Sequence, residues 1–151
     1  MGSQPPITPE AGAARILIVE DHPTIAELAD TQLRLKGMRP TKCLSGREAL
    51  QVLEHGEFDL VILDIMMPDV GGYEVFRVLK GSSRTRSIPV IFLTAKSSPE
   101  DVEHGLALGA DCYVTKPFSG SDLMQKVRKV LARRRPVRRL SRRSAGSRTL
   151  P

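Results

Sequence analysis

The chain contains no tryptophan, and its phenylalanine and tyrosine residues together make up only 4% of the sequence. A folded core must therefore be built mainly from valine, leucine, isoleucine and alanine. No apolar run approaches the roughly 18 residues that a membrane-spanning helix requires. The N-terminus also lacks the basic segment and apolar stretch of a secretion signal. We expect a cytoplasmic protein with no membrane partner.

Cysteine is scarce as well. Cys43 and Cys112 lie far apart in the sequence, and neither has a cysteine or histidine neighbour at the spacing of a metal site. This pattern argues against a zinc centre and favours two buried free thiols. A disulfide or a redox site is the alternative interpretation.

Acidic residues are absent from residues 133–151, which contain eight arginines. The net charge of +6 therefore arises from this tail, and the rest of the chain is mildly acidic. Two interpretations of the tail stay open: a solvated linker to an output domain, or electrostatic attachment to nucleic acid or an acidic partner. We expect a disordered arm over 1–14, one domain over 15–134, and a disordered arginine-rich tail or linker over 135–151.

Short apolar runs alternate with amphipathic segments through the central part of the chain. Continuous apolar runs are typical of strands that are buried on both faces of a parallel sheet, and the segments between them carry helix-capping signals. The pattern predicts a doubly wound α/β fold with five strands and five helices. The strands are expected near 15–20, 40–44 (an edge strand), 58–63, 88–93 and 112–114, and the helices begin near His22, Ser45, Gly72, Ser98 and Ser119.

Five polar residues stand at the ends of these strands. Each is ordinary when taken alone, because an aspartate after a strand is usually a helix cap and a lone lysine is usually a solvated charge. In a parallel sheet, however, the carboxyl ends of the strands share one edge, where ligands bind. We therefore expect a functional site made of Glu20, Asp21, Asp64, Thr94 and Lys116.

Three carboxylates at such a site repel one another unless a cation neutralises them. An all-oxygen set favours Mg²⁺, with Mn²⁺ as the alternative ion, over zinc. A carboxylate beside Mg²⁺ can attack a phosphoryl group, while Lys116 and Thr94 contact the remaining oxygens. The sequence has no glycine-rich nucleotide loop, so a nucleotide is not the expected phosphoryl donor.

Four sequence blocks then carry a family resemblance: ILIVED at 16–21, DLVILDIMMPDVGGYEV at 59–75, PVIFLTA at 89–95 and GADCYVTKPF at 109–118. Over 15–134 the chain resembles the receiver domain of two-component response regulators. The resemblance implies a flavodoxin-like five-stranded parallel sheet in the order 2-1-3-4-5. It also implies that Asp64 accepts a phosphoryl group from a sensor histidine kinase or a histidine phosphotransfer protein.

The same resemblance suggests a role for each site residue. Glu20 and Asp21 would be the acidic pair for Mg²⁺, and the backbone carbonyl of Met66 would be a further ligand. Thr94 would be the hydroxyl switch, Tyr113 the aromatic that follows it, and Lys116 the partner of the phosphate. A half-buried structural aromatic is the alternative interpretation of Tyr113.

Three local features accompany these assignments. The Lys116–Pro117 peptide is expected to be cis, because an X-Pro bond adopts cis at modest cost and the turn would aim Lys116 towards Asp64. Gly71 stands where many receivers have an acid, which should affect only the start of the next helix. Lys96 lies near the expected phosphate entrance, where its charge would alter the lifetime of the phosphoryl group.

Phosphorylation is expected to reshape the face formed by the fourth helix, the fifth strand and the fifth helix, which would then dock a downstream partner, an output domain or a second copy. In this interpretation the chain is not an enzyme, since it catalyses only its own phosphorylation and dephosphorylation. Two alternatives remain open. One is an aspartate-nucleophile phosphohydrolase, and the other is a degenerate receiver that is not phosphorylated.

Overall fold

The structure is a computed structural model that describes residues 12–95 and 98–134. Most of the expected N-terminal arm (1–11), the arginine-rich tail (135–151) and Lys96 lie outside the described residues. Within them, five strands alternate with five helices along the chain. The bounds are β1 Arg15–Val19, α1 Pro23–Leu35, β2 Arg39–Cys43, α2 Gly46–His55, β3 Leu60–Asp64, α3 Gly72–Gly81, β4 Val90–Thr94, α4 Pro99–Leu108, β5 Cys112–Thr115 and α5 Gly120–Arg134.

The five strands form one parallel sheet in the order β2-β1-β3-β4-β5. This confirms the doubly wound fold and the expected strand order, with β2 at an edge. The order reverses between β1 and β3, which pair directly with Val19 opposite Leu63. Because ligands of such sheets bind where the strand order reverses, the ends of β1 and β3 are the first place to look for a site.

Helices cover both faces of the sheet. One face packs against α1 and α5, whose Leu33 and Leu123 are fully buried. The other packs against α2 and α3, with Leu53 and Leu79 in its core, while Val102 of α4 contacts the same core at its edge. Strand β1 supplies both cores, because Leu17 and Val19 face one layer and Ile16 and Ile18 the other. The continuous apolar run that predicted a doubly covered strand is explained by this arrangement.

The helix ends follow the capping signals in the sequence. The hydroxyls of Ser45, Ser98 and Ser119 accept hydrogen bonds from backbone N–H groups three residues later, at 3.0–3.1 Å. At α2 the Glu48 carboxylate accepts from the N–H of Leu44, one residue before the cap, so the expected capping box is completed one position early. Gly109 ends α4 in the left-handed conformation at φ 115°, which glycine adopts without strain.

Strand bounds differ from the expected ones by one or two residues. Phe58 and Asp59 precede β3, where the Asp59 carboxylate accepts the N–H of Arg15. Pro89 has no N–H to donate, and β4 begins just after it. At the other end, β3 and β4 include Asp64 and Thr94, so these two residues are held by the strands themselves.

Two further expectations concern buried groups and membranes. Both cysteines are free thiols, as expected, but only Cys43 is buried, whereas Cys112 is half-buried on the edge strand β5. Of the helices in the described part of the chain, none combines the length and the apolar character needed to cross a membrane.

Candidate functional site

The carboxyl edge of the sheet gathers the expected site residues. Glu20 and Asp21 follow β1, Asp64 is the last residue of β3, Thr94 ends β4, and Lys116 follows β5. The strand register explains this, since Thr94 lies opposite Thr115 and Asp64 opposite Leu93. Four separate chain segments thus reach one edge at the same level.

The three carboxylates form a tight cluster. Glu20, Asp21 and Asp64 each place one oxygen within 4.8 Å of the others. Glu20 is 0% exposed and Asp64 is 1% exposed, while Asp21 is the most accessible of the three. Backbone N–H groups hold the two buried acids, because His22 donates to Glu20 Oε2 at 3.0 Å and Met66 donates to Asp64 Oδ1 at 2.9 Å.

Lys116 places its ammonium group between two of these acids. Its Nζ lies 3.0 Å from Asp64 Oδ2 and 2.9 Å from Glu20 Oε1. The Lys116–Pro117 peptide is cis, as expected. Burial by itself lowers the pKa of Lys116, but its close contacts to Glu20 and Asp64 outweigh burial and raise the pKa above the ordinary value. Lys116 is therefore a cation throughout the neutral range.

Burial raises the pKa of Glu20, and the Asp64 charge adds to this effect. The Lys116 ammonium and the His22 N–H act in the opposite direction without cancelling it. Its Oε1 is buried and lies 2.9 Å from the Lys116 ammonium nitrogen. A carboxylate oxygen has two lone pairs, so Oε1 retains one that a metal cation can use.

This donor set fits Mg²⁺. Three carboxylates face one ammonium, so negative charge is in excess, and every donor atom in the cluster is an oxygen, as hard divalent ions prefer. No cysteine or histidine takes part in the cluster. Met66 follows two residues after Asp64, and its N–H is drawn onto the Asp64 carboxylate, which keeps its backbone beside the acids.

Thr94 and Tyr113 lie on the side of the site towards β5. Thr94 is fully buried, and its carbonyl oxygen accepts a hydrogen bond from the N–H of Lys116 at 2.9 Å. Tyr113 is 8% exposed, and its ring meets that of Phe92 at a centroid distance of 6.3 Å. Burial raises the pKa of the Tyr113 phenol to about 12, with smaller contributions from Tyr73 and Asp101. The tyrosine is therefore buried more fully than a half-buried strand-end aromatic.

Two glycines, whose packing sequence reasoning did not anticipate, let the loop after Asp64 pack closely. A Cβ at Gly72 would lie 2.2 Å from the Asp64 carbonyl oxygen and 2.4 Å from Ile65 Cα. A Cβ at Gly46 would lie 2.2 Å from the Val70 carbonyl oxygen. Since no side chain fits at either position, the starts of α3 and α2 lie directly against the loop that follows Asp64. A glycine opening a helix was the only signal in the sequence.

Comparison with known proteins agrees with this geometry. Residues 16–128 match the family model of the response regulator receiver domain. Response regulator SaeR of Staphylococcus aureus is 38% identical over 131 residues, which cover 83% of this chain and 56% of SaeR. The chain thus spans little more than half the length of the curated relatives it matches.

Solved structures give the same result. Chemotaxis response regulator CheY4 of Vibrio cholerae is 31% identical, with a TM-score of 0.75, over 79% of this chain and 99% of that one. The signal receiver domain of a signal transduction histidine kinase from Syntrophus aciditrophicus is 42% identical, with a TM-score of 0.72, over 80% of this chain and 91% of that one.

Proposed function

Because the chain belongs to the family of response regulator receiver domains of two-component systems, we propose that Asp64 is its phosphoryl acceptor. The donor is a phosphohistidine on a sensor histidine kinase or on a histidine phosphotransfer protein. One observation carries the proposal: Lys116 lies within 3.0 Å of both Asp64 and Glu20 at the carboxyl edge of the sheet. An apolar side chain would pack better at this place than a lysine does, so packing does not explain the presence of a cation here.

The transfer is a displacement at phosphorus. Asp64 Oδ2, which faces Lys116, forms the new oxygen–phosphorus bond, while Oδ1 stays on the N–H of Met66. The phosphorus–nitrogen bond of the donor breaks, its electron pair remains on the imidazole, and a proton from solvent leaves the donor histidine neutral. The product is an aspartyl phosphate, and Lys116 moves from Oδ2 to a phosphoryl oxygen, where its charge has most effect.

Glu20, Asp21, Asp64 and the Met66 carbonyl would hold Mg²⁺ in this account, and Mn²⁺ is the alternative ion. When bound, the ion supplies positive charge against the oxygens of the transferring phosphoryl group. The protein residues provide the rest. Glu20 is fixed by the N–H of His22, and the close packing of Gly72 fixes the backbone at Asp64.

A phosphoryl group on Asp64 would add charge beside Thr94 and Lys116. We propose that it draws the Thr94 hydroxyl and Lys116 inward, and that the position of Tyr113 follows. The link is short, because the N–H of Lys116 donates to the Thr94 carbonyl and Tyr113 lies three residues earlier on the same strand and loop. The surface so altered is the face of α4, β5 and α5, which would dock a downstream protein or an output domain.

The wider assignments are part of the same proposal. The chain acts in the cytoplasm and is not an enzyme with a separate substrate, since it catalyses only its own phosphorylation and dephosphorylation. Relatives such as SaeR are nearly twice as long as the matched region, so an output function on a further domain or a separate partner is part of the proposal. Any interaction with nucleic acid in this proposal is made only by the arginine-rich tail.

The test uses Asp64→Asn together with Asp69→Asn as the matched control. Asp69 is exposed on the same loop with φ 60°, a conformation that asparagine adopts readily, so the control changes the same chemistry without strain. We expect acid-labile label from a phosphohistidine donor on wild type and on Asp69→Asn, and none on Asp64→Asn. Label on Asp64→Asn would refute the assignment, and turnover of para-nitrophenyl phosphate would instead favour a phosphohydrolase.

A further inference from the structure

A glycine stands in the interior of α4. Gly105 is the seventh residue of the helix Pro99–Leu108 and is fully surrounded, whereas most of its helical neighbours are exposed. Glycine is less favourable than alanine inside a helix, so a glycine at such a position usually has a packing reason.

Two aromatic rings fill the space that a side chain at Gly105 would occupy. A Cβ there would lie 2.9 Å from Tyr113 Cε2, 3.0 Å from Tyr113 Cδ2 and 3.0 Å from Phe92 Cδ2. Non-bonded carbon atoms are stable at about 3.5–4.0 Å, so these rings could not stay in place against an added methyl group. The present placement of the Tyr113 ring against Gly105 therefore depends on the missing side chain.

Phe92 cannot give way easily. It is fully buried, and its ring is packed edge-on by Phe76 at 5.0 Å and by Tyr73 at 5.9 Å. Tyr113 lies on β5, the edge strand of the sheet, and is 8% exposed, whereas Phe92 is 0% exposed. Of the two rings, that of Tyr113 therefore has more freedom to move.

We propose that Gly105 is a positioning residue for the switch. Because Gly105 has no side chain, the Tyr113 ring can occupy its buried position. Gly105 thereby sets how strongly the burial of Tyr113 depends on phosphorylation of Asp64. The inference rests on the proposed function in one respect, the coupling of Tyr113 to Asp64. Linkage then requires that a change which disfavours buried Tyr113 also disfavours phosphoryl binding at Asp64.

The placement of Tyr113 can be measured directly. The chain has two tyrosines and no tryptophan, so in a Tyr73→Phe background the intrinsic fluorescence reports Tyr113 alone. We expect Gly105→Ala to raise the acrylamide quenching constant of that fluorescence several-fold at neutral pH. Gly81→Ala is the matched control, because a Cβ at Gly81 meets nothing within 4 Å. Quenching of Gly105→Ala equal to that of the control would overturn the proposal.

A thermal comparison covers the case in which Gly105→Ala is poorly folded. With Tyr113 present, Gly105→Ala should lower Tm, because the new methyl group meets the ring. In a Tyr113→Ala background the same substitution should lower Tm by clearly less, since the contact with Tyr113 is gone and only that with Phe92 opposes the helix preference of alanine. The same change in Tm in both backgrounds would show that the Tyr113 ring and a side chain at position 105 do not compete for space, which contradicts the proposal.

The coupling is tested with beryllofluoride and Mg²⁺, a mimic of the phosphoryl group. Gly105→Ala should weaken its apparent affinity several-fold, and Gly81→Ala should leave it unchanged. Equal affinity in all three proteins would overturn the coupling of Gly105 to the site. Failure of the wild type to bind the mimic would count against the proposed function itself, while the quenching and Tm results would still decide the placement of Tyr113.

Discussion

The Lys116 ammonium nitrogen lies 3.0 Å from Asp64 Oδ2, although the two residues are 52 positions apart in the chain. The contact exists because β3 and β5 are parallel strands of one sheet and both end at its carboxyl edge. Among the described residues, Lys116 is the nearest cation to both Asp64 and Glu20. It therefore provides most of the compensation for the negative charge of these two acids in the protein without metal.

Replacing Lys116 by methionine keeps the length of the side chain and removes its charge. We expect phosphoryl transfer to Asp64 to slow by about 100-fold, because a fixed charge near the transferring oxygens is lost. Without Mg²⁺, the free energy of unfolding should fall by about 3 kcal/mol, since two buried carboxylates lose their partner. Stopped-flow transfer assays and urea unfolding measure both effects.

Lys129→Met, an exposed lysine on α5, is the control for Lys116→Met. It should change neither the transfer rate nor the stability by more than a small amount. A wild-type transfer rate in Lys116→Met would show that the ammonium group has no part in the chemistry.

Mg²⁺ binding can be tested separately from folding. Asp21 is the most accessible acid of the cluster, so Asp21→Asn should weaken Mg²⁺ binding by at least about tenfold while leaving the core intact. Isothermal titration calorimetry measures this, and Asp69→Asn should bind as the wild type does. Excess EDTA should stop phosphorylation with an unchanged far-ultraviolet circular dichroism spectrum. Phosphorylation that persists in EDTA would contradict the metal assignment.

Gly72→Ala tests the packing beneath Asp64. The new methyl group would meet the Asp64 carbonyl and the Ile65 backbone, neither of which can rotate away, so the loop must shift. We expect a loss of about 1–3 kcal/mol in the free energy of unfolding and slower phosphorylation. Gly81→Ala, which has open space, should be neutral in both assays. If Gly72→Ala has the same stability and the same phosphorylation rate as Gly81→Ala, the close packing at Gly72 does not position Asp64.

The two cysteines should differ in reactivity. Burial raises the pKa of the Cys43 thiol to about 12, and the Glu48 charge adds to the effect. In a Cys112→Ser variant at pH 8, iodoacetamide should label Cys43 only when urea unfolds the protein. Because the folded pKa lies above the unfolded value, the contribution of Cys43 to stability is complete below about pH 9 and is lost as the pH rises towards about 12. Rapid labelling of the native variant would contradict this burial.

Much of the fold could be predicted, because its strands are continuous apolar runs and its helices open on serine caps. Ile16 to Val19 are all fully buried, as a strand between two layers of helices requires. The strand ends were less certain. The N–H of Arg15 donates to the Asp59 side chain, and such a contact between distant segments leaves no periodic signal in the sequence.

The site could be predicted as a set of residues but not as a geometry. Parallel strands bring Glu20, Asp64 and Lys116 to one edge, and that follows from the order of the elements. The contact of Glu20 Oε1 with the Lys116 ammonium depends on side-chain orientation, which the sequence does not specify. The close contacts of Gly72 and Gly105 depend on what lies opposite each glycine in space, so their importance emerges only from the structure.

The most direct test of the central claim is to locate the phosphoryl group. After transfer from a phosphohistidine donor in Mg²⁺, borohydride reduction converts an aspartyl phosphate to homoserine, which peptide mass spectrometry assigns to one position. We expect homoserine at position 64 and at no other aspartate, with none formed when Mg²⁺ is omitted. Homoserine at position 21 or 69, or none at 64 in a chain that carries label, would contradict it.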